Sequence, residues 1–429
     1  MRRRFHDEEP VAIDNIYLPI PTPTSFMKHP SRKSIVILVI IAAFLSSMTA
    51  LHKTNHILPG SSLSQTHKKK ASIFHESSEH PLNLRIVTWN LRVPFPSDAK
   101  KNLSWNERRS SVASAIATHQ PDLMALQEDF YLMSESLLKS SNNNTAQIGT
   151  KNTLSETYER YGLFNRNGEF RPSSSWPENP FTLDGTKDGE HNSVWYNKAR
   201  FSSLQNMTFW LSRTPEKEGS SFDEVTGRVV NCALLQDEFC AETTTCLIFF
   251  CSTHFPAGNQ TRSIWSAHAL SDVFSLIQKD LTKSYLARGN NNNNNVRFDM
   301  FVSGDFNSIP GSKTHEAMIQ AGFVDTRTLS IEEKPMDDYD YTTNDWYSDN
   351  GDSLIDYVWL YKGASSSSGA SHDVKRHFRV QSVKHVSVPC CNSNDDATQA
   401  NSPFFEQSNG MSNRTASDHK MVVVDFEFY

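Results

Sequence analysis

The chain has no Cys-x-x-Cys pair among its six cysteines, which excludes the usual structural zinc site and the dithiol redox motif. It also has no excess of positive charge: 42 Lys and Arg stand against 48 Asp and Glu, a formal net charge of −6. No long basic stripe interleaves with aromatics, as a protein tracking a nucleic-acid strand requires. These absences count against a processive DNA or RNA enzyme and leave a small phosphate ester open as substrate. A further absence is local. Residues Ser34 to Leu51 carry no charged side chain, and Ile35-Val36-Ile37-Leu38-Val39-Ile40-Ile41 stands at the centre of that run.

A helix over 34–51 spans ~27 Å, close to the hydrocarbon thickness of an endoplasmic-reticulum bilayer. Arg2, Arg3, Arg4, Lys28, Arg32 and Lys33 precede it, and only Lys53 follows until Lys68-Lys69-Lys70. The positive-inside rule then predicts a cytosolic tail (1–33), a transmembrane signal anchor (34–51), a stalk (52–81) and a lumenal or extracellular domain (82–429). The alternative is a cleaved signal peptide and a secreted protein. Against it stand a charged region of 33 residues and the lack of a small-x-small cleavage site after the apolar run. Five glycosylation acceptors agree with export: Asn102, Asn143, Asn206, Asn259 and Asn413, each followed by x-Ser or x-Thr. Cys232, Cys240, Cys246 and Cys251 fall close together across a predicted hairpin. In an oxidising compartment they would form one or two disulfides, and in the cytosol they would be small buried apolar residues. Cys390 and Cys391 complete the set.

Beyond the stalk the texture is that of a folded domain: the chain as a whole is 37% hydrophobic and 21% charged, its core diluted by polar insertions at 140–152, 290–295, 365–371 and 392–412. Leu84 to Leu91 alternates apolar and polar residues like a strand, with Asn90 at its tip. A helix is expected from Glu107 to His119, with Val112, Ala115, Ile116 and His119 on one face and Pro121-Asp122 as its stop. Leu123 to Glu128 reads as a short strand ending in a carboxylate. A strand is expected after the Gly189-Glu190 turn, a pair of strands over 228–235 and 245–253, and an amphipathic helix from Arg262 to Leu281 built on Ile264, Ala267, Leu270, Val273, Ile277 and Leu281. Ala317 to Ala321 reads as a short helix closed by Gly322. Strands around Leu354–Leu360 and Lys420–Phe428 end the domain.

The stretch Phe301-Val302-Ser303-Gly304-Asp305-Phe306-Asn307-Ser308-Ile309-Pro310 concentrates the chemistry. An apolar strand ends in a carboxylate, an aromatic and an amide, with Pro310 and Gly311 supplying a turn, and open α/β sheets place ligands at such tips. Gly-Asp-Phe-Asn is also an ordinary turn composition. Five companions decide between the two: Thr88-Trp89-Asn90, Leu126-Gln127-Glu128, Ser252-Thr253-His254, Ile355-Asp356-Tyr357 and Ser417-Asp418-His419. In this order the six motifs resemble those of the endonuclease/exonuclease/phosphatase superfamily, the DNase I-like fold, over residues 84 to 429. The Gly189-Glu190 turn and the run Thr208 to Ser212 are similar to a hydrolase branch of it.

The resemblance implies a four-layered α/β sandwich, two packed β-sheets flanked by helices. It implies hydrolysis of a phosphoester by a metal- and Asp-activated water, with Mg2+ as cofactor and Mn2+ as a substitute. Glu128, Asn90 and Asp418 would hold the metal, which prefers oxygen ligands. Asp305 would orient and deprotonate the water, Asn307 would donate to the developing oxyanion, and His254 and His419 would contact phosphoryl oxygens. Asp356 would fix the His419 tautomer, and Glu190 would contact substrate or support the site. Trp346, Tyr347 and Tyr341 line the pocket or join the core. Two positions depart from the family pattern, Ser353-Leu354 where a basic residue is common and Ala416 where proline is common. Both bear on substrate contacts rather than on the acid and histidine set. A catalytically inactive scaffold on the same fold, and a nuclease, are the competing readings. Intact Glu128, Asp305, Asp356 and Asp418 weigh against the scaffold.

Overall fold

The computed structural model describes residues 82–140, 153–163, 190–217, 219–222, 227–240, 244–288, 295–332, 341–343, 353–363, 378–390 and 414–428. The tail, anchor and stalk, the polar insertions apart from their end residues 140 and 295, Trp346, Tyr347 and the acceptors Asn143 and Asn413 lie outside them. Among the described residues no helix is long and apolar enough to cross a membrane.

In chain order the elements are β1 (Leu82–Asn90), α1 (Pro96–Ala99), α2 (Trp105–His119), β2 (Leu123–Phe130), α3 (Tyr131–Leu138), α4 (Leu154–Thr157), β3 (Tyr158–Tyr161), β4 (Glu190–Asn197), β5 (Phe201–Trp210), β6 (Val229–Asp237), β7 (Thr244–His254), α5 (Gln260–Arg288), β8 (Asn295–Asp305), α6 (Lys313–Gln320), β9 (Phe323–Asp325), β10 (Asp356–Tyr361), β11 (Phe378–Val386) and β12 (Met421–Phe428). They form two six-stranded mixed sheets, β11-β12-β1-β2-β4-β3 and β5-β6-β7-β8-β10-β9, with helices outside. This is the expected DNase I-like sandwich.

Side-chain alternation explains the layering. On the first sheet Leu84, Ile86, Leu123, Ala125 and Val194 pack with residues of the second, among them Val230, Phe250 and Val302. The alternate set, Val87, Trp89, Met124, Leu126 and Trp195, packs under α2 and α3 against Val112, Ile116, Met133 and Leu137. One strand thus serves two cores. The long α5 covers the second sheet with Ala267, Leu270, Phe274 and Ile277, and Phe274 meets Phe249 edge-on at 5.4 Å. Both ends of the domain meet in one sheet, where Leu82 pairs with Phe428.

Several boundaries differ from the sequence reading. Helix α2 begins at Trp105 because Ser104 and Glu107 form a reciprocal capping box, and it ends where Gln120 turns left-handed at φ 46°. Helix α6 begins at Lys313, where the Ser312 side chain accepts from His315 N–H, and it stops before Ala321. Strand β2 does not end at Glu128. It runs on to Phe130, and its register with β4 shifts between Leu126 and Asp129, so Glu128 occupies a bulge at φ 53°. The cysteine hairpin is cross-linked twice, Cys232–Cys251 between paired strands and Cys240–Cys246 across the turn. Cys390 is also disulfide-bonded.

Candidate active site

The strand tips converge. β1 ends at Asn90, β7 at His254 and β8 at Asp305, while β10 begins at Asp356 and β4 at Glu190. His254 and Asp305 are register partners of the parallel β7–β8 pair, and Asp356 opposes Asp305 across the antiparallel β8–β10 pair. The second sheet therefore sets three of the predicted residues side by side. The first sheet and its loops supply the rest.

Asp305 is the centre. His254 Nε2 lies 3.5 Å from its Oδ2, and His419 Nε2 lies 3.9 Å from the same oxygen. Each ring is anchored at its other nitrogen, His254 Nδ1 by Glu190 Oε1 at 2.7 Å and His419 Nδ1 by Asp356 Oδ2 at 2.9 Å. Asp305 also accepts from Asn90 Nδ2 at 3.2 Å, and the same amide group donates to Glu128 Oε1 at 3.0 Å. The Asn90 oxygen faces the other way and accepts the Arg92 N–H at 2.9 Å. Glu128 Oε2 accepts the Val93 N–H at 2.6 Å.

Electrostatics follow from this crowding. Burial works against ionisation of Glu190, but the charge and hydrogen bond of His254, with Arg228 and His191, bring its carboxyl down to about 2. Burial and Arg228 oppose the His254 imidazolium, yet Asp305 and Glu190 raise it above the ordinary value. His419 is also desolvated, and Asp356, Asp305 and Asp418 together hold its proton well above that value. Glu128 is raised by burial and by the like charges of Glu190 and Asp418, against the pull of His254. Asp356 is raised by burial and by Asp305, against His419.

The loops are built by residues the motifs do not contain. Arg108 on α2 is fully buried and donates to the backbone oxygens of Leu91, Arg92, Leu103 and Ala416, tying the β1 tip to the Ser417–His419 segment. Burial lowers its pKa to about 10 against the attraction of Asp418 and Asp98. Arg92 pairs with Asp418 at 3.0 Å and Asp98 at 3.3 Å and lies over the Phe95 ring. Ser417 Oγ donates to Asn90 O, and Trp89 Nε1 donates to His419 O. Ala416 explains its own departure from the family pattern: its N–H donates to Val388 O at 2.8 Å, a bond that proline lacks.

Asn307 stands two residues beyond the strand rather than on its face. It is left-handed at φ 47°, its N–H donates to Asp305 Oδ1, and its side-chain amide donates to Phe255 O at 3.0 Å. Phe306 turns inward and is 1% exposed. Tyr341 is exposed rather than part of the core.

Two sets of side chains are candidates for holding a divalent cation, the predicted ligands Glu128 and Asp418 and the cluster Asp305, Asp356 and His419. Glu128 and Asp418 repel each other, while the Asn90 amide and the Val93 N–H already donate to Glu128 and Arg92 pairs with Asp418. Asp305, Asp356 and His419 offer ligand atoms within 4.8 Å of one another, and Asp356 Oδ1 is buried without a hydrogen-bond partner. In the second group the His419–Asp356 bond already occupies one oxygen and one ring nitrogen. Arg92, Arg108 and Arg228 went unread in the sequence. The signal available was position alone, two residues past Asn90 for Arg92 and immediately before β6 for Arg228.

The arrangement, acidic tips of two sheets with two carboxylate-anchored histidines, defines a phosphoesterase fold. The sequence profile of the Endonuclease/Exonuclease/phosphatase family matches residues 87–419, and the chain belongs to that family. No curated protein sequence matches the chain. Among solved structures, an endonuclease/exonuclease/phosphatase family protein from Bacteroides thetaiotaomicron is 20% identical at a TM-score of 0.53, over 81% of this chain and 99% of that one. The mannosyl-6-phosphatase of the same organism is 19% identical at 0.51, over 80% of this chain and 100% of that one. A family protein from Bacteroides vulgatus is 18% identical at 0.51, over 81% and 100%. These likenesses establish the fold.

Proposed function

We propose that the protein is a divalent-metal-dependent phosphoester hydrolase. The observation that carries this is the convergence of two anchored histidines on Asp305 Oδ2, at 3.5 and 3.9 Å. Asp305 orients the attacking water and takes its proton. His254 and His419, each held by a carboxylate at Nδ1, present Nε2–H to the phosphoryl oxygens, where negative charge grows in the transition state. Asn90 donates its amide between Glu128 and Asp305, and Asn307, fixed by Phe255 O, sets the turn that aims Asp305. Glu128 and Asp418 would hold Mg2+ or Mn2+, which supplies charge neutralisation and a more acidic water.

Removing Asp305 tests this directly. The purified chain should hydrolyse a bis-nitrophenyl phosphodiester or a nitrophenyl phosphomonoester with Mg2+, and EDTA should abolish the reaction. Asp305→Ala should lower kcat by at least ~10²-fold with the unfolding midpoint retained. Hydrolysis indifferent to both treatments would sink the assignment. Phosphorylated sugars, inositol phosphates, lipid head groups and nucleic acids form the substrate panel. The sugars head it because one structure sharing the fold carries a sugar phosphatase name.

The address we propose is a single-pass membrane protein with this domain in the secretory lumen or outside the cell. Supporting it are the charge asymmetry around residues 34–51, the cross-linked hairpin, and the exposure of all three described acceptors, Asn102, Asn206 and Asn259. Endoglycosidase treatment of the expressed protein tests it, since unshifted migration rules out a glycosylated lumenal domain.

A further inference from the structure

The inward faces of the central strands change character in steps. On β1 the inward positions read Leu84, Ile86, Thr88, Asn90, and on β2 Leu123, Ala125, Gln127. On β7 they read Phe250, Ser252, His254, and on β8 Phe301, Ser303, Asp305, with Phe301 meeting Phe426 of the first sheet at 5.2 Å. Between the apolar core and the ionisable tips lies a neutral polar layer of Thr88, Gln127, Ser252 and Ser303. All four are 0% exposed. Within it Thr88 Oγ donates to Gln127 Oε1 at 3.2 Å, and Gln127 Nε2 donates to Ser252 Oγ at 3.1 Å. Gln127 belongs to the first sheet and Ser252 to the second, so this hydrogen bond spans the sandwich one inward-facing position beneath the site.

We infer that Gln127 is a positioning residue: its bridge to Ser252 fixes the spacing between the half of the site carried by the first sheet and the half carried by the second. The division is sharp. Asn90, Glu128 and Asp418 belong to the first sheet and its loops, whereas His254, Asp305 and Asp356 lie on the second. Above the bridge the halves meet through three hydrogen bonds, Asn90 Nδ2 with Asp305 Oδ2 at 3.2 Å, Glu190 Oε1 with His254 Nδ1 at 2.7 Å and His419 Nδ1 with Asp356 Oδ2 at 2.9 Å, and of these the Asn90 contact is the longest. Apolar packing tolerates sliding because it has no direction. A buried amide with an obligatory partner does not, since parting the bond strands both groups away from water.

The inference rests on the hydrolytic reading of the site, and the test separates the two. Full-length protein carrying Ser252→Ala should lose roughly a hundredfold in kcat, the scale expected for a misplacement of about 1 Å. Mn2+ affinity, measured calorimetrically, should be unchanged, because Glu128 and Asp418 lie together on one side of the gap. Gln127→Met should do the same, and the double variant should lose little more than either single one. A crystal structure of Ser252→Ala should show the Asn90–Asp305 contact broken and the Asn90–Glu128 contact, 3.0 Å here, kept. Full kcat in both variants overturns the inference. So does a matching fall in Mn2+ affinity, which marks a general packing role, and so does an intact Asn90–Asp305 contact. If the wild-type protein hydrolyses no ester, the proposed reaction falls and the coordinates alone decide the role of the bridge.

Discussion

Burial disfavours a charged imidazole at His419, yet Asp356, hydrogen bonded to Nδ1, and the nearby Asp305 and Asp418 hold its proton well above the ordinary value near 6.5. Because the folded pKa is the higher one, the stability His419 contributes is fully present below about 6.5 and is lost as pH rises through the folded value. Under the proposed mechanism function has the same sign: as a donor to phosphoryl oxygen, His419 would work only below its folded pKa. Asp356→Asn removes the largest raising partner. The alkaline limb of kcat/KM should then move to lower pH by roughly one unit or more, as read from pH–rate profiles of variant and wild type. A limb that stays in place would assign that titration to another group. At this scale the sequence showed Asp305, His254, Asp356 and His419 because each sits in a local motif. It hid Arg92, Arg108 and Arg228, whose value lies in partners reached only after folding. Arg228 stands 3.8 Å from Glu190, a residue 38 positions earlier.

At the scale of elements, the close passage of β7 and β8 demands a glycine. A Cβ at Gly304 would stand 1.9 Å from Thr253 O, a backbone atom of the adjacent strand, and φ there is 156°. Relief would need the two strands to part where His254 and Asp305 are paired. Gly304→Ala should therefore destabilise the domain by at least ~2 kcal/mol and depress kcat, with urea unfolding giving the first number. An unchanged midpoint would show that the sheet can absorb the methyl. The glycine of the Gly-Asp-Phe-Asn motif is thus a packing requirement, and the turn reading of those residues applies only from Phe306 onward. Strands were legible where alternation was long and unbroken. β9 has three residues and β3 four, too few to establish a period. β11 carries a bulge between Val380 and Ser382, which shifts the alternation partway along and hides it. The bulge at Glu128 misled in the same way, making a continuing strand look finished.

At the scale of the molecule, the order of six separated motifs revealed the sandwich, because each motif is a strand tip or its adjoining loop and the fold gathers them at one end. Sequence separation carried no warning that Asn90 and Asp305, 215 residues apart, would share a hydrogen bond. The two layers also set a direction. β1 enters the domain at Leu82 and reaches the site at Asn90, a run of about 26 Å at strand rise. A tether that joins at Leu82 therefore attaches to the end of the domain opposite the site. If a surface holds the segment before residue 82, as the membrane address proposed above requires, it meets the domain from the end away from the mouth. On that proposal the site would meet diffusing solutes or an apposed surface more readily than the bilayer holding its own tether.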